Sequence, residues 1–334
     1  MKNVLGMGNA LVDILIRVED DTLIHNYELP RGGMKLVPSD VITSILKDAE
    51  SMKIEKASGG SAANSIHGLA NLGIETGFIG KVGNDDLGDF FCNDLKESGI
   101  KPLLLKGSSQ TGVAVALVTP DSERTFAVYL GSAIEMVPED LEPSFFEGYE
   151  IFHIEGYLVQ NHGLIEKAIQ LAKHAGCKIS LDLASYDVVR GDLEFIRHLV
   201  ENYVDILFAN ETEAREFTGK DPFEAIHDLG KLVETAILKI GKDGSLIVVE
   251  SIHTRVNALP ATPIDTTGAG DLFAAGYLYG MLNNLETSAS GYIGSLLASR
   301  VIEVMGAKIN GNTWEQIRKL VTAGSTGIPV LPKH

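Results

Sequence analysis

The sequence predicts an α/β fold in which helices cover both faces of a central, mostly parallel sheet, with a small β-rich lid beside it. Two observations predict this architecture. Apolar runs typical of buried strands alternate with helical stretches along most of the 334 residues, which is the rhythm of a parallel sheet. Four short strand-like segments without helices between them break that rhythm. With 45% hydrophobic residues, the chain suits one large domain with an appendage, or two domains.

The strands of the predicted sheet are short apolar runs. They cover residues 3–8, 75–81, 151–155, 178–182, 206–209, 235–240 and 245–250. Helical stretches follow at residues 62–72, 87–98, 163–175, 212–218, 272–281 and 291–305. Ligands of such sheets bind beyond the carboxyl ends of the strands. Several unusual loops of this sequence would lie at that edge.

The segments that break the rhythm are residues 13–17, 34–37, 111–119 and 124–130. The last two are joined by a turn at residues 120–123. We expect them to form a lid over the cleft, although an ordinary edge hairpin is the alternative. The predicted α/β core then comprises residues 1–12, 38–110 and 131–334, and the predicted lid comprises residues 13–37 and 111–130.

Composition limits the class of partner. The net charge of −17 disfavours nucleic acid, whose binding depends on clustered Lys and Arg. The two cysteines, Cys92 and Cys177, are far apart and fit a reducing compartment better than a disulfide framework. The N-terminus carries no basic leader, and Arg300 and Glu303 interrupt the apolar run at residues 292–305. We expect a cytoplasmic protein that binds small molecules, not a membrane.

The turn before the apolar helix at 272–281 is the most informative segment. Gly268, Ala269 and Gly270 carry little side chain, so the backbone N–H groups of the helix start can approach an anion such as phosphate. Asp271 follows directly and suits a general base beside a transferring phosphoryl group. Simple capping of the helix by Asp or Thr is the alternative.

Two further segments carry polar groups that suit a ligand. Gly59 and Gly60 form a second turn into a helix, with the Asn64 amide on its first turns. Asn9 and Asp13 follow the first strand and could bind vicinal hydroxyls. The alternatives are a packing turn and a solvated acid. A dinucleotide fingerprint is weakly matched, and the sequence has no P-loop motif.

Two segments after apolar strands suggest a nucleotide and a metal ion. Asn210 and Glu213 are three residues apart on one face of a starting helix, where they could hold Mg²⁺ through its water ligands. A capping box is the alternative for this pair. Lys239, Gly241 and Gly244 form a turn between two apolar strands, which could wrap a nucleotide or only reverse the chain.

Taken in order, these segments resemble the ribokinase, or PfkB, family of carbohydrate and nucleoside kinases over essentially the whole chain. The resemblance implies a ribokinase-like fold, MgATP as the phosphoryl donor, and Asp271 as the catalytic base. It also implies an anion hole made by the backbone of residues 268–270, and Mg²⁺ binding through water by Asn210 and Glu213.

The same resemblance implies the remaining site residues. Near the nucleotide it places Asn210, Lys239, Gly241, Gly244 and Asp265, with Lys239 departing from the Thr of the family. A monovalent cation such as K⁺ could bind near Asp265. Arg124 falls on a lid strand from which related enzymes bring an arginine toward the phosphates. The substrate hydroxyls are expected at Asn9, Asp13, Gly59, Gly60 and Asn64.

Within the family the sequence is most similar to adenosine kinases, which implies Tyr157 as an aromatic that stacks on a purine. The expected reaction is transfer of the γ-phosphoryl group of ATP to a primary hydroxyl of a ribose-containing nucleoside. One alternative is a kinase of a free sugar or sugar acid such as ribose, fructose or 2-keto-3-deoxygluconate. A non-catalytic ligand-binding protein and an NAD-dependent oxidoreductase are weaker alternatives. Pairing of lid strands would permit a homodimer as well as a monomer.

Overall fold

The computed structural model describes residues 2–121 and 123–324. Its first seven strands are Asn3–Met7 (β1), Leu11–Arg17 (β2), Met34–Leu36 (β3), Ile54–Gly59 (β4), Glu75–Val82 (β5), Ile100–Lys106 (β6) and Gly112–Val118 (β7). The others are Arg124–Tyr129 (β8), Ile151–Glu155 (β9), Lys178–Asp182 (β10), Ile206–Asn210 (β11), Thr235–Lys239 (β12), Ser245–Val249 (β13) and Ile252–Val256 (β14).

The α-helices in the first half are Thr22–Asn26 (α1), Ser39–Asp48 (α2), Ser61–Asn71 (α3), Asp86–Glu97 (α4) and His162–His174 (α5). Those in the second half are Tyr186–Gly191 (α6), Leu193–Asn202 (α7), Glu211–Thr218 (α8), Pro222–Leu232 (α9), Ala269–Leu282 (α10), Thr287–Val301 (α11) and Gly311–Gly324 (α12). Short 3₁₀ helices lie at Gly131–Glu135, Pro138–Asp140, Pro143–Phe145, Gly156–Gln160 and Gly241–Asp243.

Nine strands form the large sheet, in the order β14-β13-β12-β11-β10-β9-β1-β5-β6. Neighbours from β12 to β6 pair in parallel, whereas β13 pairs antiparallel with both β12 and β14. The predicted α/β fold with a central, mostly parallel sheet is therefore confirmed. The hairpin expected between β12 and β13 is also present.

Residues on the two faces of the large sheet pack into two separate hydrophobic cores. Ile206 and Phe208 of β11 belong to one core, and Leu207 and Ala209 belong to the other. All four are buried, because successive side chains of a strand point to opposite faces and helices cover both. This explains why β11 reads as a continuous apolar run instead of an alternating one.

A second sheet has five strands in the order β3-β8-β7-β2-β4. Four of these strands are the segments predicted for the lid, and β4 joins them by pairing antiparallel with β2. The sequence did not predict β4, because its run Ile-Glu-Lys-Ala-Ser-Gly hides any hydrophobic alternation. The division of the chain into core and lid at the stated residues stays a prediction. The predicted turn at 120–123 includes Ser122, which lies outside the described residues.

Helix α10 runs through the interior, with nine of its residues buried. Glycines permit this close packing: a Cβ on Gly68 of α3 would lie 2.7 Å from the Ala275 Cβ of α10. A Cβ on Gly276 would likewise lie 2.7 Å from the backbone of Ile293 in α11. Helix α10, which follows the predicted anion turn, therefore packs closely against both α3 and α11.

Several helices begin earlier than predicted, and polar side chains cap two of them. The Asp85 side chain accepts a hydrogen bond from Gly88 N at the start of α4, and Asn161 accepts one from Leu164 N at the start of α5. Helix α11 begins at Thr287, four residues before the predicted position, and ends at Val301.

None of the helices in the described part of the chain combines the length and apolar character that a membrane span needs.

Candidate active site

Polar side chains from neighbouring strands meet at the carboxyl edge of the large sheet. Glu155 ends β9 and is the register partner of Asp182, which ends β10. Asn210 ends β11 and pairs in register with Lys239, the last residue of β12. Parallel strands place their carboxyl ends side by side, which is where ligands of such sheets bind. This edge is therefore the candidate site.

Two large cavities open here. The small-sheet cavity has a volume of about 1000 Å³, and its lining includes Leu11, Met34, Leu36, Phe126, Val128 and Tyr157. The large-sheet cavity has a volume of about 930 Å³, and its lining includes Asp182, Asn210, Glu213, Lys239, Gly270 and Asp271. Ser61, the first residue of α3, lines both. The two cavities thus meet at the start of that helix.

Asp271 lies beside this meeting point, in the first turn of α10, and lines the large-sheet cavity. Ser61 Oγ donates to its Oδ1 at 2.7 Å, and Asn64 Nδ2 donates to its Oδ2 at 2.9 Å. Burial raises the pKa of Asp271 to about 6, although the hydrogen bonds from Asn64 and Ser61 act in the opposite direction. A fixed carboxylate with a pKa near neutrality suits a general base.

The turn before Asp271 leads directly into α10, three residues before the predicted helix start at residue 272. Gly268 has φ +74°, a left-handed conformation that favours glycine, and α10 begins at the next residue, Ala269. The first N–H groups of an α-helix have no partner within the helix. Those of Gly270 and Asp271 lie at the large-sheet cavity, where they could bind an anion.

Asn9 is held by Glu155, a residue that the sequence did not single out. Asn9 N and Asn9 Nδ2 both donate to Glu155 Oε1 at 2.8 Å, and Ala62 N donates to Glu155 Oε2 at 2.9 Å. Burial raises the pKa of Glu155 to about 7. Asn9, Gly60 and Glu155 all line the small-sheet cavity, where Tyr157 is 40% exposed.

Glycine is required at two predicted positions. A Cβ on Gly59 would overlap the Asp13 carboxylate, and one on Gly60 would overlap the Asn9 carbonyl oxygen. Gly60 also has φ +98°. Burial raises the pKa of Asp13 to about 7, which the positive charge of Lys308 partly offsets. The predicted hydroxyl-binding residues are thus packed directly against one another.

One polar atom of the Asn64 side chain has no hydrogen-bond partner among the described residues. Its Nδ2 bonds to Asp271, but its Oδ1 is buried and has no hydrogen-bond partner among the described residues. Unpaired buried acceptors are costly in proteins. Asn64 faces a smaller cavity of about 210 Å³ and could accept a hydrogen bond from a ligand.

Arg124 lies outside both large cavities. Its guanidinium donates to Thr267 Oγ1 and forms an ion pair with Asp265, whose side chain is fully buried. Thr267 N and Gly306 N also donate to the Asp265 carboxylate, at 2.7 and 2.6 Å. Arg124 therefore reaches the loop before α10 from the five-stranded sheet, and Asp265 anchors that loop.

Asn210 and Glu213 form the capping box that was the alternative to metal binding. Asn210 Oδ1 accepts from Thr212 N and Glu213 N at 2.9 Å, and Asn210 N donates to Glu213 Oε2 at 2.8 Å. Burial, reinforced by Asp182, raises the pKa of Glu213. No group of three or more His, Cys, Asp or Glu in residues 2–121 and 123–324 could hold a metal ion directly.

The turn from Lys239 to Gly244 lines the large-sheet cavity. Gly241 and Gly244 have φ of +54° and +96°, and a Cβ on Gly244 would overlap the Val256 carbonyl oxygen. Lys239 Nζ donates to Asp182 Oδ2 at 2.7 Å. The turn therefore brings its backbone and one buried ammonium group to the cavity.

Three residues of the site were missed from the sequence. Glu155 and Asp182 are acids that end buried strands, and acids in that place could have been recognised as ligands of the sheet edge. Ser61 lies in the Gly-rich turn that was singled out, but its contact with Asp271 joins residues 210 positions apart. No sequence pattern reports that contact.

Comparisons with known proteins agree with this architecture. A model described as pfkB family carbohydrate kinase matches residues 41–314. The structure of a probable sugar kinase from Rhizobium etli CFN 42 has a TM-score of 0.85 and 31% identity, covering 95% of this chain and 98% of that chain. An adenosine kinase from Sinorhizobium meliloti has the same TM-score and identity, covering 95% and 99%. A 5-dehydro-2-deoxygluconokinase from Geobacillus kaustophilus is 26% identical over 296 residues, covering 83% of this chain and 88% of that protein.

The family model spans most of the chain, and the structural relatives share its fold almost from end to end. These proteins are kinases, which transfer phosphoryl groups to hydroxyl groups, and kinases of this kind use ATP and Mg²⁺. The chain therefore belongs to the PfkB family of carbohydrate kinases and is a phosphotransferase with a small-molecule alcohol, a sugar or a nucleoside, as acceptor.

Proposed function

We propose that this kinase transfers the γ-phosphoryl group of ATP to the primary hydroxyl of a ribose-containing nucleoside of the adenosine type. The observation that carries the proposal is the small-sheet cavity. Its volume of about 1000 Å³ leaves room beyond a sugar ring, and much of its lining is apolar. Similarity to the Sinorhizobium meliloti adenosine kinase supports the same acceptor.

The charges of this cavity support an uncharged acceptor. Its lining, over the described residues, contains no Lys or Arg, and its acidic members are Glu155 and Asp187. A sugar acid would place a carboxylate among these groups without a cation to pair with it, which is costly in a partly buried site. A purine instead needs an apolar slot with an aromatic face, which Tyr157, Phe126 and Leu158 offer.

In the proposed complex, the ribose hydroxyls bind to Asn9, Asp13 and Asn64, and the two glycines allow the ring to approach the backbone. Of these three, Asn9 lines the small-sheet cavity, whereas Asn64 faces the smaller cavity of about 210 Å³. The Asn64 Oδ1, which has no hydrogen-bond donor among the described residues, would accept a hydrogen bond from the sugar once the substrate is bound. Tyr157 stacks on the base. The nucleotide lies in the large-sheet cavity against the turn from Gly241 to Gly244.

The chemical step follows from the position of Asp271, which lines the large-sheet cavity and contacts Ser61, the residue that both cavities share. Its carboxylate accepts the proton of the primary hydroxyl as that oxygen attacks the γ-phosphorus of ATP. The new oxygen–phosphorus bond forms as the bond to the β-phosphate oxygen breaks, and ADP leaves. Ser61 and Asn64 hold the carboxylate in position. The N–H groups at the start of α10 stabilise charge on the transferring group.

Mg²⁺ fits the donor set of the large-sheet cavity. Glu213 and Asp182 are acids of this cavity that lie close enough to interact, since Asp182 adds to the effect of burial in raising the pKa of Glu213, and Asn210 lies beside them. Asn210 and Glu213 would hold a hydrated ion, because Mg²⁺ prefers oxygen ligands and keeps several waters. Bound there, it would neutralise charge on the phosphates. We also propose that a monovalent cation such as K⁺ binds near Asp265.

Arg124 supplies a test of the phosphate site. We propose that it moves from Asp265 toward the phosphates when the substrates bind. Arg124→Ala should then lower kcat by about a hundred- to a thousandfold, as expected for loss of one charge-stabilising donor. The acceptor KM should change by less than about threefold. Arg31→Ala, which removes an exposed arginine paired with Asp21 and Asp121, is the control. An effect confined to the acceptor KM would contradict the phosphate role.

The alternative function is phosphorylation of a free sugar, since similar proteins are named as a probable sugar kinase and as a 5-dehydro-2-deoxygluconokinase. ADP release from MgATP should be measured with adenosine, inosine, ribose, fructose and 2-keto-3-deoxygluconate, with Asp271→Asn as the control. We expect selective turnover of a nucleoside. Turnover of a free sugar alone would overturn the nucleoside proposal and leave the proposed role of Asp271 as general base unchanged. If none of the five compounds causes ADP release, the acceptor is one outside the panel or the protein is non-catalytic.

A further inference from the structure

Lys239 places a buried positive charge beside the first turn of α10. Its Nζ donates to Asp182 Oδ2 at 2.7 Å, and the two side chains are 15% and 6% exposed. A Cβ built on Gly270 would lie 3.0 Å from this Nζ. The ammonium group therefore lies against the Gly270 backbone, in the wall of the large-sheet cavity.

The ammonium group is paired with a carboxylate and keeps unused donors. An ammonium has three N–H donors. Over residues 2–121 and 123–324, Asp182 is the one hydrogen-bond acceptor of Lys239. The remaining donors border the cavity and are available to a ligand.

An anion bound at the start of α10 would lie within reach of Lys239. The free N–H groups of the first helical turn attract anions, and the Nζ lies over the backbone that carries them. Arg124, in contrast, is bound by Asp265 and Thr267 outside the cavity. Lys239 is thus a cation already in place at the predicted phosphate site, whereas Arg124 must first exchange its partners.

We propose that Lys239 is a further catalytic residue, which binds a phosphate oxygen of the nucleotide donor while Asp182 holds its side chain in position. This inference rests on the proposed kinase reaction and assigns one of its phosphate contacts. A charge-assisted hydrogen bond from a fixed, buried donor is among the stronger polar contacts in proteins. It would stabilise the negative charge of the phosphates without movement of the lid.

A purely structural role is the rival explanation, in which Lys239 only neutralises the buried Asp182. The two roles differ in what a second substitution does. If Lys239 serves Asp182 alone, then Lys239→Met combined with Asp182→Asn removes both charges and should restore nucleotide binding. If Lys239 binds phosphate, the double variant should bind nucleotide as weakly as Lys239→Met.

The experiment is titration calorimetry of ADP and of the non-hydrolysable analogue β,γ-imido-ATP, with Mg²⁺ present. Lys239→Met should weaken binding of the analogue by about ten- to hundredfold, as expected for a lost hydrogen bond to a charged group. Lys239→Arg should retain more affinity, because it keeps the charge. Lys167→Met is the matched control: it removes an exposed charge of α5 outside the lining of both large cavities and should weaken binding by less than about threefold, since exposed charges are screened.

Two results would overturn the assignment: unchanged nucleotide affinity in Lys239→Met, or recovery of affinity in the double variant. Both readouts are independent of the acceptor, so they separate this inference from the proposed function. If no acceptor in the panel is phosphorylated, nucleotide titration still reports on Lys239. If a nucleoside is phosphorylated normally by Lys239→Met, the role of Lys239 fails and the nucleoside proposal stands.

Discussion

Replacing Asp271 with Asn should lower kcat by about a hundredfold or more, the loss expected for a general base. Asparagine has nearly the same shape and can still accept a hydrogen bond from Ser61, but it cannot take the proton of the acceptor hydroxyl. Nucleotide binding should therefore stay close to that of the unmodified protein. The measurements are ADP release at saturating substrates for kcat, and calorimetry for nucleotide affinity.

The pH dependence of the same variant provides a second readout. Burial raises the pKa of Asp271 to about 6, so this group loses its ability to accept a proton as the pH falls through that value. In the unmodified protein, kcat/KM should decline accordingly on the acid side. Residual activity of Asp271→Asn should lack this contribution. The control is Asp40→Asn, which changes an exposed acid of α2. A near-normal kcat in Asp271→Asn would contradict the role of Asp271 as the general base.

Glu155→Ala should lower the free energy of unfolding by roughly 3 kcal/mol or more, because it leaves buried N–H donors unpaired at about 1–3 kcal/mol each. The donors are Asn9 N, Asn9 Nδ2 and Ala62 N. Without this acceptor, Asn9 loses its fixed orientation, so the acceptor KM should also rise. Denaturant unfolding and steady-state kinetics measure the two effects.

The control for this change is Glu147→Ala, since Glu147 is exposed and precedes the same strand. It should leave both quantities nearly unchanged, as surface substitutions usually do. Equal stability and equal acceptor KM in the two variants would show that Glu155 does not organise this cavity.

The large sheet could be predicted from the sequence because its strands are buried on both faces. Continuous apolar runs such as β11 are visible without any knowledge of tertiary structure. Strand β4 could not be predicted in the same way. Its charged and small residues are tolerated because pairing with β2, not burial, defines the strand. A strand defined in this way depends on a partner strand that is distant in the sequence.

The same distinction holds for the candidate site. The turn at Gly268 and the capping pair of Asn210 and Glu213 are local, so their chemistry was visible in short motifs. The capping geometry of that pair is confirmed, while its Mg²⁺ role stays a prediction. The contact of Ser61 with Asp271 and that of Arg124 with Asp265 are non-local and needed the structure.

The shared position of Ser61 has a consequence for how this enzyme could change over evolution. The small-sheet cavity takes its lining from residues 9–188. Apart from Ser61, the large-sheet cavity takes its lining from residues 182–302. If the proposed roles of the cavities hold, choice of acceptor and use of the donor depend on largely successive stretches of one chain, which overlap at residues 182–188. Substitutions among the apolar residues that line the small-sheet cavity could then exchange one acceptor for another while the residues of the large-sheet cavity are inherited unchanged.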